Sequence, residues 1–193
     1  MGAPAQASIV YSRMGDDYDY IIGNAKPAYP DSSRLKFFYR HVLYLKPNCW
    51  IIADEVEAEK ESSFEFYYHS DFPFSHDGEN SSKALGTRGS LKFTTLKPAD
   101  AERNLFLQDI QSTTGRVTSK LNVLKLSSSG KNKDLFLSIL ESFPTGQNPV
   151  IKSSYTSSQD GDILTLNMGK VTKRFKVMAD RPDKNTPLLV EIK

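Results

Sequence analysis

Short apolar runs separated by turn residues follow one another along the whole chain, and a helical period is almost absent. The densest runs lie between residues 35 and 70, where Val, Ile, Phe, Tyr and Trp predominate. Such residues suit a pleated, half-buried surface. We therefore predict three consecutive strands at about residues 35–45, 49–56 and 62–70. A turn at residues 46–48 and a charged connection at residues 57–61 would join them into a meander.

Side-chain alternation determines which residues of the predicted meander share a face. A first turn centred on Pro47–Asn48 places His41 opposite Asp54 on one face, and Arg40 beside Glu55 on the other. The middle strand is apolar on both faces, which predicts a covering layer on each side of the sheet.

The rest of the chain continues the same pattern. Further strands are predicted at residues 7–14, 18–22, 90–96, 105–110, 116–126, 135–142, 151–156, 162–168, 172–179 and 188–192. One helical turn is predicted at residues 98–103. Many short strands at this spacing favour a sandwich over alternating strands and helices. The prediction is an all-β fold, a large antiparallel β-sandwich of about a dozen strands in a single domain over residues 1–193.

Composition narrows the possible partners. The net charge is +2, from 25 basic and 23 acidic residues, which gives no electrostatic reason to expect nucleic acid. No apolar run approaches the roughly 18 residues that span a bilayer, so no membrane span is expected. The N-terminal residues MGAPAQAS lack the charged and apolar regions of a signal peptide.

Few residues could carry catalysis. His41 beside Asp54 could act as an acid or base whose tautomer the carboxylate fixes, or the two could form a structural polar pair. His69 is predicted beside Cys49, but a mid-strand cysteine has no loop or helix terminus to activate it, which favours a buried thiol. Three histidines and one cysteine show no metal-ligand spacing, and no cofactor fingerprint is present, so neither a metal nor a cofactor is expected.

Aromatic residues are enriched early in the chain. Tyr29 and Tyr39 lie close in sequence to Arg40, and aromatic faces next to arginine and carboxylate groups suit sugar rings. These three residues are the candidate substrate contacts. The alternative is that the aromatic residues belong to the strand core.

The stretch R-H-V-L-Y-L-K-P-N-x-W-I-I-A-D-E-V, followed by F-x-F-Y-Y-H-S-D, covers residues 40–71 and carries a family resemblance. It resembles the C-terminal β domain of heparinase II/III-type polysaccharide lyases. Residues 18–25 resemble the segment that precedes this stretch in the family, with Asn24 where an aspartate is common. Residues 135–144 resemble a later family strand that ends in proline.

The resemblance implies a function. Lyases of this type cleave polysaccharides containing uronic acid, such as glycosaminoglycans and alginate, by removing the proton on C5 and eliminating the leaving oxygen. They combine an N-terminal helical toroid with the β domain and are periplasmic or extracellular. The His-rich and metal-associated motifs of the family β domain precede the matched stretch, and residues 1–33 contain none of them.

Two hypotheses follow. In the first, the chain is the later part of such a β domain, binds acidic polysaccharide together with a toroid, and is not catalytic alone. In the second, it is a stand-alone carbohydrate- or protein-binding β-sandwich module.

Overall fold

The structure is a computed structural model that describes residues 6–111, 115 and 117–192, so the start of the strand predicted at residues 116–126 lies outside the described residues. The strands are β1 (Ser8–Arg13), β2 (Tyr18–Asn24), β3 (Leu35–Leu45), β4 (Cys49–Ser70), β5 (Phe74–His76), β6 (Ser81–Leu85), β7 (Gly89–Lys97), β8 (Glu102–Gln111), β9 (Val117–Pro144), β10 (Ile151–Ser158), β11 (Gly161–Met168), β12 (Val171–Val177) and β13 (Leu189–Ile192). Two 3₁₀ turns, Lys26–Ala28 and Asp31–Ser33, connect β2 to β3. The all-β prediction is confirmed.

Two antiparallel sheets make up the fold. The larger has the order β1-β2-β3-β4-β9-β7-β6-β5, with β8 also paired to β9. The smaller has the order β10-β11-β12-β13. Both sheets contribute to one apolar core, in which Ile51 and Ile139 of the large sheet pack with Leu164 and Phe175 of the small one. The described residues contain no helix long and apolar enough to cross a membrane.

Two strands are much longer than predicted. β4 has 22 residues and β9 has 28, and they pair along most of their lengths. The hairpin predicted at residues 57–61 is therefore wrong, because β4 continues as one strand through this charged segment. The segment contains register shifts in the β4–β9 pairing rather than a turn. A charged run resembles a loop in sequence, but it can equally be a solvated stretch of strand.

The long β4–β9 ribbon bends so that its two halves lie face to face. Phe38 pairs directly with Val56, and Phe66 lies ten residues further along β4. In a straight strand ten residues span about 33 Å. The rings of Phe38 and Phe66 are nevertheless 5.7 Å apart, and those of Phe66 and Phe136 are 4.2 Å apart. The second half of β4, the first half of β9 and β8 thus form an outer layer that packs over the rest of the large sheet.

The register of β3 and β4 differs by one residue from the predicted one. Leu45 pairs with Cys49, so the turn contains three residues instead of the two central residues assumed. Because side chains alternate, one extra residue changes every cross-strand partner. Arg40 lies opposite Asp54, and His41 lies opposite Ala53. The predicted pairings of His41 with Asp54 and of Arg40 with Glu55 are both wrong.

Two further parts of the chain differ from the predicted strands and helical turn. The structure adds β5 and β6, which lie in the segment between β4 and β7 and were not predicted as strands. The helical turn predicted at residues 98–103 is not helical, because residues 98–100 form a turn and β8 begins at Glu102.

Candidate functional site

A cleft of about 630 Å³ opens where the outer layer meets β3 and the loop before it. Strand β9 pairs with one edge of residues 62–70 of β4. No described strand pairs with the other edge, because β3 pairs with β4 only as far as Ala58. Apolar residues form the floor of the cleft and aromatic and charged residues form its rim. They include Tyr29, Phe38, Arg40, Val56, Phe66 and Tyr67.

Arg40 and Asp54 form the central ion pair of the cleft. Arg40 Nε donates to Asp54 Oδ1 at 2.7 Å, and Nη2 donates to Oδ2 at 2.9 Å. The Asp54 side chain is fully buried, whereas that of Arg40 is 45% exposed. This two-point contact fixes the guanidinium plane. Within the described residues nothing accepts a hydrogen bond from Arg40 Nη1, which remains available at the cleft.

Burial and pairing act in opposite directions on these two groups. Burial raises the pKa of the Asp54 carboxyl, and the bonds and charge of Arg40 oppose that increase. Burial lowers the pKa of Arg40, but Asp54 outweighs burial and raises it. The geometry is that of an ionised carboxylate, since both oxygens accept hydrogen bonds from one guanidinium.

The candidate sugar-binding residues divide between the two faces of the sheet. Tyr29 is 46% exposed at the cleft and packs against Phe38 with ring centroids 5.7 Å apart. Tyr39 lies on the opposite face, where it packs against the core between the two sheets. The structure therefore brings Tyr29 and Arg40 together and separates Tyr39 from them. Their role in binding stays a prediction.

His41 belongs to a buried cluster on the face that meets the small sheet. Its Nε2 lies 3.2 Å from Glu55 Oε2. Glu55 also accepts hydrogen bonds from Arg181 Nη2 and from Lys184 Nζ, the latter at 3.0 Å. His41 is completely buried, and Glu55 and Arg181 are almost so. Arg181 and Lys184 lie in the loop between β12 and β13, so the cluster ties that loop to the large sheet.

The other ring nitrogen of His41 is bonded to a tyrosine. Tyr20 Oη lies 3.2 Å from His41 Nδ1 and accepts hydrogen bonds from the backbone N–H groups of Leu188 and Leu189. With two N–H groups donating to it, the hydroxyl has its own hydrogen left for Nδ1. On the other side of the ring, Nε2 faces two partners of opposite kind, the acceptor Glu55 Oε2 at 3.2 Å and the donor Arg181 Nη2 at 2.9 Å.

The electrostatics of the cluster hold His41 neutral and Glu55 ionised. Burial lowers the pKa of His41; the bond to Glu55 opposes this effect and the nearby Arg181 adds to it. Burial raises the pKa of Glu55, but hydrogen bonds from His41, Arg181 and Lys184 outweigh burial and lower it to about 2. A fully buried histidine with both nitrogens engaged cannot reach a substrate proton. The cluster therefore has the properties of a structural ion network.

His69 and Cys49 are far apart along β4. His69 pairs in register with Val123 of β9. Its Nε2 atom lies 3.3 Å from Oε1 of Gln108 on β8. Cys49 is fully buried at the opposite end of β4, and burial raises its thiol pKa to about 12. The predicted proximity of the two residues is wrong, because it depended on the hairpin that the chain does not form. The predicted burial of Cys49 is confirmed.

Sequence reasoning did not identify Arg181 and Lys184. They lie 126 and 129 positions from Glu55 in a polar loop, and no local pattern connects them to β4. No group of three or more His, Cys, Asp or Glu side chains that could hold a metal ion occurs in the described part of the chain.

Comparison with known proteins identifies the fold. No protein-family model matches the sequence, and no curated protein does. The structure is similar to heparan sulfate lyase HepC from Pedobacter heparinus, with a TM-score of 0.69 and 16% identity over 97% of this chain and 28% of HepC. The chain has the fold of a heparinase III β-sandwich.

Two further structures agree. The heparinase III described as the BT4657 gene product gives a TM-score of 0.66 and 12% identity over 89% of this chain and 28% of that protein. Another heparinase III gives a TM-score of 0.64 and 10% identity over 87% of this chain and 26% of that protein. The chain thus spans little more than a quarter of each of these lyases.

Proposed function

We propose that this chain is the β-sandwich part of a heparinase II/III-like polysaccharide lyase, and that it binds an acidic polysaccharide without cleaving it alone. The structural likeness supports this proposal, because nearly the whole chain corresponds to a limited part of HepC. A helical toroid would supply the remaining catalytic groups. The complete protein would act on uronic-acid polysaccharides such as glycosaminoglycans or alginate, in the periplasm or outside the cell.

The observation that carries the binding proposal is the orientation of Arg40. Asp54 fixes its guanidinium plane, and Nη1 is left to donate into the cleft beside the Tyr29 ring. A planar guanidinium matches the geometry of a carboxylate, which every uronic acid carries. The neighbouring aromatic ring supplies a surface for the apolar face of a sugar.

Arg40 would act through directed hydrogen bonds and not through net charge. The Asp54 carboxylate, 2.7 Å from Nε, offsets most of its field. Binding at the cleft is therefore expected to depend on salt less steeply than binding to an unpaired basic surface would.

Arg40→Lys tests the proposal. Lysine keeps the charge next to Asp54 but cannot supply both the two-point contact and a further donor. We expect affinity for a heparan sulfate oligosaccharide, measured by calorimetry, to fall by about tenfold, the value of one charge-assisted hydrogen bond.

Arg88→Lys is the matched control, because Arg88 is exposed in the turn between β6 and β7. Equal affinity of the Arg40→Lys protein and the wild type would refute a role for the cleft.

The alternative, a stand-alone carbohydrate- or protein-binding module, could use the same cleft. An adjacent reading frame that encodes a helical toroid would favour the lyase hypothesis. Co-purification of the two products as one complex would support it directly.

A further inference from the structure

The exposed face of the outer layer carries two aromatic rings, of which Tyr67 also borders the Arg40 cleft and Phe106 lies outside it. Tyr67 of β4 is 45% exposed and Phe106 of β8 is 41% exposed. With His69 and Gln108 they line a shallow depression of about 480 Å³. Strand β9 runs between β4 and β8. Strand spacing and rise therefore place the Cα atoms of Tyr67 and Phe106 about 12 Å from each other.

The Tyr67 ring is held in a fixed orientation. Its hydroxyl donates to Glu65 Oε2 at 2.5 Å, and Glu65 Oε1 accepts from Lys125 Nζ at 2.9 Å. Glu65 precedes Tyr67 by two residues on the same face of the strand, about 7 Å away. A tyrosine hydroxyl reaches that distance only if the ring lies along the strand. One face of the ring is consequently turned towards solvent.

Val123 shows that the surrounding side chains also lie close to the sheet. By alternation Val123 points outward from β9, yet it is only 1% exposed. Its direct cross-strand neighbours are His69 on β4 and Phe106 on β8. We infer that these two rings lie over Val123 and form a continuous flat surface with Tyr67.

The groups that border this surface are polar. The charges of Glu65 and Lys125 neutralise each other. His69 Nε2 and Gln108 Oε1 are 3.3 Å apart, and the Gln108 amide keeps further donors for a ligand. Flat apolar rings bordered by neutral donors and acceptors match a pyranose, which has an apolar C–H face and a rim of hydroxyls.

The exposed apolar area is too small for a stable protein partner. Two half-exposed rings present roughly 200 Å². A stable protein interface buries about 800 Å² on each partner.

We propose that Tyr67, His69, Phe106 and Gln108 form a glycan-binding platform that stacks sugar rings on Tyr67 and Phe106. The separation of the two rings implies a ligand longer than one sugar residue. Because Phe106 lies outside the Arg40 cleft, the platform does not depend on the function proposed above.

The test is an NMR titration of the isotope-labelled chain with cellohexaose and, separately, with a heparan sulfate octasaccharide. We expect the amides around Tyr67, Phe106 and Val123 to shift with at least one of the two probes. Phe106→Ala should weaken that binding by about tenfold through loss of one stacking surface, whereas Phe106→Tyr should preserve it.

Phe72→Ala is the control, since Phe72 is a partly exposed aromatic residue (39%) outside the platform. Because Arg40→Lys alters only the cleft and Phe106→Ala only the platform, the two sites can fail separately. Unchanged amides with both probes would overturn the proposal, as would wild-type affinity in Phe106→Ala. Concentration-dependent dimerisation that Phe106→Ala abolishes would identify the face as a contact between copies instead.

Discussion

The ion network around Glu55 is the point at which single residues connect the two sheets. It joins His41 and Glu55 of the large sheet to Arg181 and Lys184 of the β12–β13 loop. Removing one member of a buried ion pair leaves the other charge without compensation, which typically costs 3–5 kcal/mol. The network is a stabilising element whose strength depends on pH, because two of its members titrate.

The acid sensitivity of the fold is expected to have two steps. The lowered pKa of His41 means that the unfolded chain binds more protons below its ordinary pKa of 6.5, so stability falls as the pH drops below that value. Glu55 has a folded pKa of about 2 against an ordinary 4.5, so its contribution, about 3 kcal/mol, is present above 4.5 and is lost between 4.5 and 2.

His41→Gln should remove the first step. Urea unfolding between about pH 7 and about pH 5 should show a smaller loss of stability in His41→Gln than in the wild type. His76→Gln is the control, since His76 is exposed. An identical pH slope in wild type and His41→Gln would contradict the neutral, buried state inferred for His41.

Residue types were easier to predict from sequence than residue partners. Arg40 and Tyr29 were selected because arginine and tyrosine suit sugars, and both line the cleft. The pairing of His41 with Asp54 was wrong because one additional turn residue changed the register of β3 and β4. Nothing local in the sequence indicates that Arg181 contacts Glu55 across 126 positions.

At the scale of elements, the bend of the β4–β9 ribbon decides the architecture. The strand-forming residues of β4 and β9 were recognised, but the charged segment of β4 was interpreted as a hairpin loop, and residues 127–134, which include Gly130, were left between two predicted strands. Both lie inside continuous strands. Charged and glycine residues are compatible with a turn or with a bulged strand, and the choice depends on a partner strand far away in sequence.

Gly130 lies at a register shift of the ribbon, between Lys131, which pairs with Ser62, and Ser128, which pairs with Phe64. Its φ is +69°, a conformation that L side chains rarely adopt, and no atom lies within 4 Å of a Cβ placed there. Gly130→Ala should therefore destabilise the chain through backbone strain alone, by about 1–2 kcal/mol in urea unfolding. The control is Gly89→Ala. The φ of Gly89 lies outside the left-handed region, and the nearest atom is 3.8 Å from the added Cβ. Equal stability of the two variants would exclude strain at Gly130.

At the scale of the whole molecule, the fold class followed from the sequence because it depends on many short patterns that agree. The prediction was about a dozen strands, and the described residues form thirteen. The strands β5 and β6 were not predicted, and two pairs of predicted strands are joined into β4 and β9. The folding of the large sheet over itself could not be predicted, since it depends on contacts such as that between Phe38 and Phe66.

The isolated chain is expected to release no unsaturated uronide from heparin, heparan sulfate, alginate or hyaluronan. β-Elimination needs a base within hydrogen-bond distance of the C5 proton, a group that neutralises the carboxylate and an acid at the leaving oxygen. Arg40 lines the cleft and can donate a hydrogen bond to that carboxylate, but Asp54 already offsets its charge. His41 is fully buried behind the opposite face of the sheet, and His69 lies on the outer platform beside Gln108. No described histidine therefore lines the cleft.

The assay follows the ultraviolet absorbance of the new double bond over the four polysaccharides, with the purified chain at high concentration. A heparan sulfate lyase serves as the positive control, and the binding experiment with Arg40→Lys shows separately whether substrate reaches the cleft. Turnover that disappears in His69→Ala but persists in His76→Ala would contradict this expectation and assign catalysis to the outer platform. Turnover lost in His41→Ala would require the Glu55 network to open, because only then could that ring reach a sugar. Binding without turnover is the expected result, since no histidine lines the described cleft and two of its other possible bases, Glu65 and Tyr67, are hydrogen-bonded to each other.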